Sequence, residues 1–389
     1  MDGAKFAKML SDKHLFELDR MEYKYSVSSV NEFTELLRQN FAQSLPLVDF
    51  SSDELFYLPN LARISTNGMK QLLSAPASNQ SFGLQAMTEE ILATFQIESI
   101  HSSRNSIRHI LNGYAPRNEE ESRIYGMKRG LDFIADRQNT ITEENLHQLY
   151  QISTGDYLPD EDRLLPDHFY RHDVVYVVDG KESREGLPAQ QLPDAMKRLV
   201  DFANAKDGIN ELHKAAILHF AFAYYHPYFD GNGRTARLLH LWYLVQQGYP
   251  AALFTPFSRY IAESKAAYYK AYDRVEKNAL ISGYTDVTPF LSYFCNEVYN
   301  RLQVDAAPPQ ADLQVYQTAL AEGKITEKER LLWEYVLSAY GTEEFTTKQL
   351  EKDFRNAAYA TIRTFVMKFH EMELLVARKT GNRVFYKVK

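Results

Sequence analysis

Cysteine is almost absent from this chain of 389 residues, which contains only Cys295. A single cysteine excludes an internal disulfide and any zinc cluster built from cysteine ligands. Cys295 stands in an apolar stretch, where we expect a small buried hydrophobic residue rather than a nucleophile. Long apolar runs are absent as well, since no stretch approaches the length of a membrane span and the first residues carry no apolar signal core. The sequence therefore predicts a cytoplasmic protein that does not bind membranes.

Positively charged residues are fewer than negatively charged ones. Lys and Arg number 44 against 51 Asp and Glu, which gives a formal net charge of −7. This balance argues against a protein whose whole surface binds nucleic acid or anionic membrane. The charge is uneven, however, because residues 354–389 hold eight Lys/Arg and two Glu, a net of +6 that leaves −13 for the rest. Any contact with nucleic acid is therefore expected at the C-terminal end.

Apolar residues recur at helical spacing along most of the chain, so the sequence predicts a mainly α fold. One stretch differs: residues 169–180 form a β-branched and aromatic run that ends at Asp-Gly, which predicts a β-hairpin. The helix predicted over 209–225 is apolar on nearly all sides and should lie buried at the centre. The next helix is predicted to begin at Arg234 and to end before Gly248. Another is predicted over 261–278.

The composition shifts near Asp305, where alanines and two prolines indicate a linker. Beyond it, three short helices precede a basic hairpin, an order that resembles a winged helix-turn-helix domain whose recognition helix starts at Ala357. We therefore divide the chain into an N-terminal helical region (1–85), a core (86–303), a linker (304–322) and a winged-helix domain (323–389). Such a domain serves to bind DNA or to dock a protein, and the sequence leaves both open. The candidate phosphate contacts on DNA are Arg355, Arg363, Lys368, Arg378, Lys379 and Arg383.

The most informative stretch begins at His226 and reads His-Pro-Tyr-Phe-Asp-Gly-Asn-Gly-Arg-Thr-Ala-Arg. Its two glycines, Gly231 and Gly233, allow the backbone to approach a ligand closely, so that successive N–H groups can converge on phosphate oxygens. Because a helix is predicted to follow, the ligand would lie at a helix N-terminus, where unpaired N–H groups and the helix dipole favour negative charge. The stretch therefore predicts an anion site with a titratable base, His226, at its edge.

Three charged side chains complete this predicted site. Arg234 and Arg237 lie three residues apart and share a helix face, so both guanidinium groups can reach one polyphosphate. Asp230 is placed to hold a divalent cation that bridges phosphate oxygens.

This stretch resembles the signature of the Fic family, His-X-Phe-X-Asp-Gly-Asn-Gly-Arg-X-X-Arg, and departs from it at Tyr228, where the family usually has Phe. The resemblance extends over roughly residues 85–300. It implies a Fic-type helical bundle with a small β-hairpin flap. It also implies an enzyme that transfers AMP from ATP to a Tyr, Ser or Thr hydroxyl of a target protein and releases pyrophosphate. We expect Tyr228 to anchor the core and not to abolish activity.

The resemblance also implies a role for each residue of the stretch. His226 would be the general base that takes the proton from the target hydroxyl. Asp230 would hold Mg²⁺ against the α- and β-phosphates, while Arg234 and Arg237 would grip the β- and γ-phosphates. Phosphate oxygens would be bound by Asn232 and by the backbone of Gly231 and Gly233.

Two further elements follow from the resemblance. The flap would hold the target segment in a fixed register through main-chain hydrogen bonds. We expect the flap at Val174, Val175 and Tyr176. A stacking partner for adenine, with a core role as the alternative, is expected among Tyr268, Tyr269 and Tyr272.

Ahead of the core, residues 94–99 resemble the family's inhibitory helix, Ser/Thr-X-X-X-Glu-Gly/Asn. Thr94 and Glu98 fit this pattern, whereas Ser99 stands where the family usually has Gly or Asn. The inhibitory helix is predicted near 88–100, with Thr88 at its start. In this interpretation Glu98 pairs with Arg237 and removes it from the γ-phosphate, so that the enzyme is autoinhibited. The alternative is an ordinary surface glutamate.

Other functions stay open at this point. Phosphoryl transfer is known in a family branch with Lys in place of the motif's second glycine, and Gly233 favours AMP transfer instead. Removal of AMP from modified proteins, with Glu98 positioning a water, is another alternative. A DNA-binding regulator that uses the Fic core as a sensor is a third. A homodimer is also considered, because inhibition in this family is often tuned by self-association.

Overall fold

The computed structural model describes residues 1–74, 83–179, 182–305, 316, 318–340, 344–381 and 383–389. The chain is mainly helical, as predicted, and the strands in this part of it form two-stranded antiparallel hairpins. None of the described helices is both long and apolar enough to cross a membrane.

The elements fall into three groups along the chain. The N-terminal group comprises α1 (Gly3–Leu10), α2 (Leu18–Tyr25), α3 (Val27–Phe41), β1 (Gln43–Val48), β2 (Glu54–Tyr57) and α4 (Thr66–Leu73). The core begins with α5 (Gly83–Ile97), α6 (Arg104–Leu111), α7 (Glu119–Ala135), α8 (Glu143–Ser153), β3 (Tyr176–Asp179) and β4 (Glu182–Glu185). It continues with α9 (Leu192–Asn204), α10 (Glu211–Tyr225), α11 (Asn232–Gln246), α12 (Phe257–Glu263), α13 (Lys265–Ser282), α14 (Thr288–Tyr293) and, after a π-helical turn, α15 (Asn300–Asp305). The C-terminal group comprises α16 (Glu327–Ala339), α17 (Thr347–Phe354), α18 (Tyr359–Glu371), β5 (Leu375–Thr380) and β6 (Arg383–Val388).

Helices α10 and α11 form the centre of the core. Helix α10 is buried on nearly every side, as its apolar sequence predicts, and the side chain of Asn210 caps its first turn by accepting from the N–H of Leu212 at 3.0 Å. Helix α11 packs along α10. Its Trp242 side chain is fully buried and donates to the carbonyl of Asn139 at 2.9 Å, which ties the helix to a neighbouring segment. Helix α11 ends before Gly248, whose φ of +90° is the left-handed conformation that favours glycine after a helix.

The N-terminal region is not purely helical, which corrects the prediction for residues 1–85. Strands β1 and β2 pair there, and Phe56 of β2 continues the pairing to the segment before α14 through Val287 N–H, at 2.9 Å. The missed signal was the alternation of Leu45 and Leu47, both fully buried, around the exposed Pro46.

Three predicted helix boundaries also need correction. Helix α5 is already formed at Gly83, and Thr88 lies within it, where its hydroxyl donates to the carbonyl of Leu84 at 2.7 Å. Helix α11 begins at Asn232 rather than Arg234. The helix predicted over 261–278 is two helices that meet at Ser264, whose hydroxyl turns back to bond the carbonyl of Tyr260 at 2.7 Å.

The C-terminal group has the predicted order of three helices and a hairpin. Thr326 and Glu329 form a capping box at the start of α16, and Thr346 caps α17. The predicted linker at 304–322 lies largely outside the described residues, as does Gly180 of the predicted hairpin.

The C-terminal group packs against α5 and α6. Leu84 of α5 joins the C-terminal apolar cluster. The Tyr335 hydroxyl donates to Asn112 at 3.3 Å, and the Arg355 guanidinium lies over the Tyr114 ring with 3.1 Å to its centroid. The C-terminal group is thus docked on the helix pair at the start of the core.

Tyr228 anchors the loop between α10 and α11, as the sequence predicts for this position. Its side chain is fully buried, and its ring stacks on that of Tyr150 with centroids 3.6 Å apart. Within the described part of the chain neither hydroxyl has a hydrogen-bond partner. The phenol oxygen of Tyr228 is therefore dispensable for packing.

We expect Tyr228→Phe to leave the free energy of unfolding unchanged or to raise it by about 1 kcal/mol, because a buried hydroxyl without a partner carries a desolvation cost. Tyr225→Phe is the matched control, since the Tyr225 hydroxyl accepts from the N–H of Val48 at 3.2 Å. Its loss should lower the free energy of unfolding by about 1 kcal/mol. Urea unfolding measures both values, and a loss for Tyr228→Phe as large as that of the control would contradict the prediction.

Candidate functional site

The loop between α10 and α11 is shaped by Asn232. The amide oxygen of Asn232 accepts from the N–H of Tyr228 at 2.9 Å, and its amide nitrogen donates to the Tyr228 carbonyl at 2.8 Å. Asn232 is 2% exposed. The sequence predicted that this side chain binds phosphate, whereas the structure engages both ends of its amide in closing the loop. The missed signal was the four-residue spacing that brings Asn232 back over the turn.

His226 occupies the position directly after α10, with φ 55° and ψ 60°, a left-handed conformation. Its side chain is half-buried, and Nδ1 lies 3.4 Å from the carbonyl oxygen of Ala223. A carbonyl can only accept, so this contact places a proton on Nδ1, and in the neutral imidazole Nε2 is then the nitrogen that can accept one. That is the form in which an imidazole accepts a proton from a substrate.

The first turn of α11 presents its backbone N–H groups beside this histidine. Gly231 precedes the helix with φ +83°, and a Cβ at this position would collide with the side chain of Thr154. Both features require glycine. Thr235 donates the first helical hydrogen bond, to Gly231 O at 2.9 Å, so the N–H groups between them have no acceptor within the helix. This end of the helix favours an anion.

Arg234 and Arg237 project from this turn and are each 3% exposed. Glu98 bonds both of them: one carboxylate oxygen accepts from Arg234 Nε at 2.7 Å, and the other accepts from Arg237 Nη2. Arg234 also donates to Asp230 at 2.8 Å. Burial alone would lower the pKa of the Arg234 guanidinium. The negative charges of Glu98 and Asp230 have the larger effect, so this pKa is raised. The predicted contact between Glu98 and Arg237 is present, and the contact with Arg234 is additional.

Thr94 holds Arg237 from the same side as Glu98. Its hydroxyl accepts from Arg237 Nε, and its carbonyl accepts from Nη2 at 3.2 Å. This carbonyl lies in the last turn of α5. Thr94 is therefore a contact residue of Arg237, a role that the sequence pattern did not specify.

Glu98 is the first residue after α5, and the chain turns directly behind it. Ser99 has φ +58°, in the left-handed region that Gly and Asn adopt more readily than other residues. This explains physically why the inhibitory motif usually ends in Gly or Asn. The Ser99 hydroxyl accepts from Lys265 at 3.3 Å, a contact that ties the turn to α13.

Asp230 is the residue available to a divalent cation at this site. Its side chain is 51% exposed, and its oxygens accept from Gly231 N–H at 2.6 Å and from Arg234. Each carboxylate oxygen retains lone-pair capacity beyond these bonds. One accessible carboxylate suits Mg²⁺, which proteins commonly bind through one or two carboxylates together with substrate phosphates. The residues thus fit the ion that the resemblance implies.

The predicted adenine residues do not share one environment. Tyr268 is 3% exposed, and its hydroxyl bonds His219 Nε2 at 2.9 Å inside the aromatic core. Tyr272 is buried as well. Both are core residues, which corrects the prediction for Tyr268. Tyr269 is only partly buried, and its hydroxyl lies 3.4 Å from the carbonyl of Ile97, beside Glu98.

The predicted flap is a hairpin, as expected, with β3 beginning at Tyr176. Val174 and Val175 precede the strand, although the Val175 carbonyl accepts from Gly186 N–H at 2.9 Å and so closes the stem. Val174 is 54% and Tyr176 61% exposed. The exposed apolar side chains are those that a bound segment would cover. Arg171, which holds this stem, was missed because no local pattern marks it.

Taken together, these residues define a helical domain with an anion site at one helix N-terminus and a base on the same loop. Residues 140–244 match the model described as the Fic/DOC family. This part of the chain, which contains the whole motif from His226 to Arg237, is a Fic domain, and the family recognised from the motif is confirmed.

Curated relatives match over short segments. Protein adenylyltransferase fic-1 of Caenorhabditis elegans is 30% identical over 102 residues, which are 26% of this chain and 18% of that protein. The probable protein adenylyltransferase aq_aa38 of Aquifex aeolicus is 30% identical over 113 residues, 28% of this chain and 35% of that protein. The chain thus spans about a fifth to a third of the length of these relatives.

Solved structures match over a longer part of the chain. A Fic family protein from Desulfovibrio desulfuricans aligns with a TM-score of 0.52 and 17% identity, covering 85% of this chain and 95% of its own. A Fic domain containing signaling protein from Bacteroides thetaiotaomicron aligns with a TM-score of 0.51 and 20% identity over 61% and 92%. These likenesses support the fold.

We expect Glu98→Gln to lower the free energy of unfolding by about 3 kcal/mol, because two buried guanidinium groups lose the carboxylate that they share. Tripolyphosphate should raise the thermal midpoint of this variant and change that of the wild type much less. Scanning calorimetry with and without the anion measures both effects.

Glu89→Gln is the matched control for this measurement. Glu89 lies on the same helix but pairs with Arg104, so the anion should not stabilise this variant beyond the wild type. Equal rises in midpoint for the Glu98 and Glu89 variants would contradict an anion site at the two arginines.

Proposed function

We propose that this chain is a protein adenylyltransferase that transfers AMP from ATP to a hydroxyl of a target protein, and that Glu98 inhibits it. One observation carries the proposal: His226 lies on the loop that leads into α11, Arg234 and Arg237 lie in the first two turns of that helix, and a carboxylate of the chain itself occupies the anion site between these arginines. The names of the curated relatives, which are protein adenylyltransferases, support the same activity.

In the proposed reaction the target hydroxyl oxygen bonds to the α-phosphorus of ATP. The bond from this phosphorus to the oxygen that bridges to the β-phosphate breaks, and pyrophosphate leaves. The hydroxyl proton moves to Nε2 of His226, which acts as the general base. The helix N-terminus and Arg234 bind the developing negative charge, which is the largest contribution that a fixed site makes to such a step.

Two groups would prepare the substrates. Mg²⁺ bound at Asp230 would neutralise charge on the α- and β-phosphates. The hairpin of β3 and β4 would pair with the target segment through its main chain and bring the hydroxyl to His226.

The inhibition follows from competition between two anions for the same cations. Glu98 bonds both Arg234 and Arg237, so a triphosphate has to displace it from each. The proposed mechanism thus extends to Arg234, beyond the single contact with Arg237 that the motif predicts. If the double ion pair contributes about 3 kcal/mol, its removal should tighten nucleotide binding about 100-fold.

The charges of the C-terminal group do not favour DNA binding as the principal function. Arg378 pairs with Glu344 at 2.5 Å and Lys368 with Glu329 at 2.7 Å, and Arg355 lies over an aromatic ring of the core. Half of the candidate phosphate contacts are therefore engaged within the chain. We accordingly rest the proposal on the transferase site.

We expect Glu98→Gly to transfer label from α-labelled ATP to a protein band in a cell lysate at a rate at least about tenfold above the wild type. Glu98→Gly with His226→Ala should show no labelling and should bind nucleotide as tightly as Glu98→Gly alone, since the base is needed for transfer and not for binding. Isothermal titration with ATP and Mg²⁺ measures the affinity.

Two controls separate the alternatives. Transfer of label from γ-labelled but not from α-labelled ATP would replace the proposal with phosphoryl transfer. Release of AMP from a modified target by the wild type, lost in Glu98→Gly, would replace it with AMP removal. Absence of both labelling and nucleotide binding in Glu98→Gly would reject the proposal.

A further inference from the structure

Arg171 is a buried arginine that the proposed mechanism does not yet use. It lies ahead of the flap hairpin and is 2% exposed. Its Nε donates to the carbonyl of His226 at 2.8 Å, Nη1 donates to the carbonyl of Asp173 at 2.7 Å, and Nη2 donates to the carbonyl of Leu187. One guanidinium group thus binds three main-chain carbonyls.

These carbonyls belong to three different segments. His226 is the proposed base, Asp173 lies where the chain enters the flap, and Leu187 lies where the chain leaves it. A main-chain hydrogen bond also connects Arg171 to the loop after α10, because the N–H of Arg171 donates to the carbonyl of Pro227 at 2.9 Å. A single residue therefore connects both ends of the flap to the loop of the base.

The contact with His226 bears on the direction of its imidazole. A left-handed conformation costs a residue other than glycine roughly 1–2 kcal/mol, and the position after a helix is one where glycine is usual. His226 adopts it, with φ 55°. Arg171 binds the carbonyl of His226, which belongs to the peptide unit after this residue. The N–H of Leu187 donates to the carbonyl of Tyr225 at 3.3 Å, so the peptide unit before His226 is held by the flap stem as well.

Gly186 leaves the space that this arrangement needs. A Cβ on Gly186 would lie 2.8 Å from Nη2 of Arg171 and 3.4 Å from Cβ of His226. The flap stem, the guanidinium and the base are therefore packed directly against one another. Burial lowers the pKa of Arg171. A buried charge lowers the stability of the fold unless hydrogen bonds compensate for the lost water, and the three carbonyls supply these bonds.

We propose that Arg171 is a positioning residue that fixes the His226 imidazole and the stem of the flap as one unit. This inference rests on the proposed function, because it concerns the geometry in which a target hydroxyl on the flap meets Nε2 of His226. A lysine cannot replace it, since an ammonium group lacks the planar fork that reaches three carbonyls at once.

The test compares Arg171→Gln and Arg171→Lys in the Glu98→Gly background. The control is Arg198→Gln, because Arg198 is an exposed arginine on α9 that pairs with Asp194. Two readouts need no activity: hydrogen exchange of the amides of Gly186 and Leu187, and the NMR signals of the His226 ring. Two others use α-labelled ATP: nucleotide affinity, and kcat/KM for the labelled target.

We expect both Arg171 variants to lose about 100-fold in kcat/KM for the target, the effect of a displacement of roughly 1 Å between reacting groups. Nucleotide affinity should stay within about twofold, because Arg234, Arg237 and the helix N-terminus are intact. The flap-stem amides should exchange faster and the His226 ring signals should shift. The control variant should match its parent in all four readouts.

Unchanged amide exchange and ring signals in both Arg171 variants would overturn the inference. A parallel loss of nucleotide affinity and kcat/KM would also overturn it, because it would indicate a general loss of structure. If Glu98→Gly itself neither transfers label nor binds nucleotide, the proposed function fails. Faster exchange together with shifted ring signals would then still establish the connection between flap and His226.

Discussion

Two guanidinium groups are buried side by side at the start of one helix, where their positive charge has to be neutralised. Arg234 and Arg237 lie where the dipole of α11 is already positive, so their burial requires an anion. The chain supplies one from α5, whose C-terminal end carries the opposite partial charge. Glu98 follows that end directly, and Thr94 offers Arg237 a carbonyl of the last turn. The Glu98 carboxylate thus lies between the C-terminal end of α5, which carries a negative partial charge, and the N-terminal end of α11, which carries a positive one.

The contacts that hold α5 in place determine how Glu98 can leave the two arginines. Glu90 of this helix is fully buried and accepts from Ser258 N–H at 2.8 Å at the start of α12, and Leu84 packs into the C-terminal group. The helix is therefore held along its length. Glu98 lies beyond the last turn, beside Ser99 in a left-handed conformation. The Glu98 side chain can therefore rotate away from both guanidinium groups without displacement of the helix, while Thr94 still binds Arg237 and Asp230 still binds Arg234.

Much of the site was predictable because it is local in sequence. The motif from His226 to Arg237 specifies a loop and a helix start within twelve residues, and periodicity located most of the helices. The contact between Glu98 and Arg237 joins distant residues, and it was predicted through the resemblance of the inhibitory motif. Physical reasoning on the residues alone would not have found it, because composition and periodicity carry no information on which helix ends meet.

The errors have the same origin. The resemblance implies that Asn232 binds phosphate, and it gave no sign that the fold uses the amide of this residue to close the loop. Tyr268 was a candidate for adenine until its neighbours on α10 and α14 placed it in the core. Arg171 was overlooked, since its value lies in three carbonyls that come together only in the folded chain. In each case long-range packing, rather than local preference, determines the role of the side chain.

Gly233 connects the proposed substrate site with the proposed inhibitor, because its missing side chain leaves room for both. A Cβ there would lie 2.5 Å from the Glu98 carboxylate and 3.2 Å from Arg237. The same lack of a side chain allows a phosphate to approach the N–H groups of the first turn. A larger residue at this position would therefore exclude Glu98 and the phosphate together. In the proposed inhibition the carboxylate uses the space of the substrate phosphate and leaves the anion site unaltered, so the same arginines and the same glycine serve the inhibited and the active state.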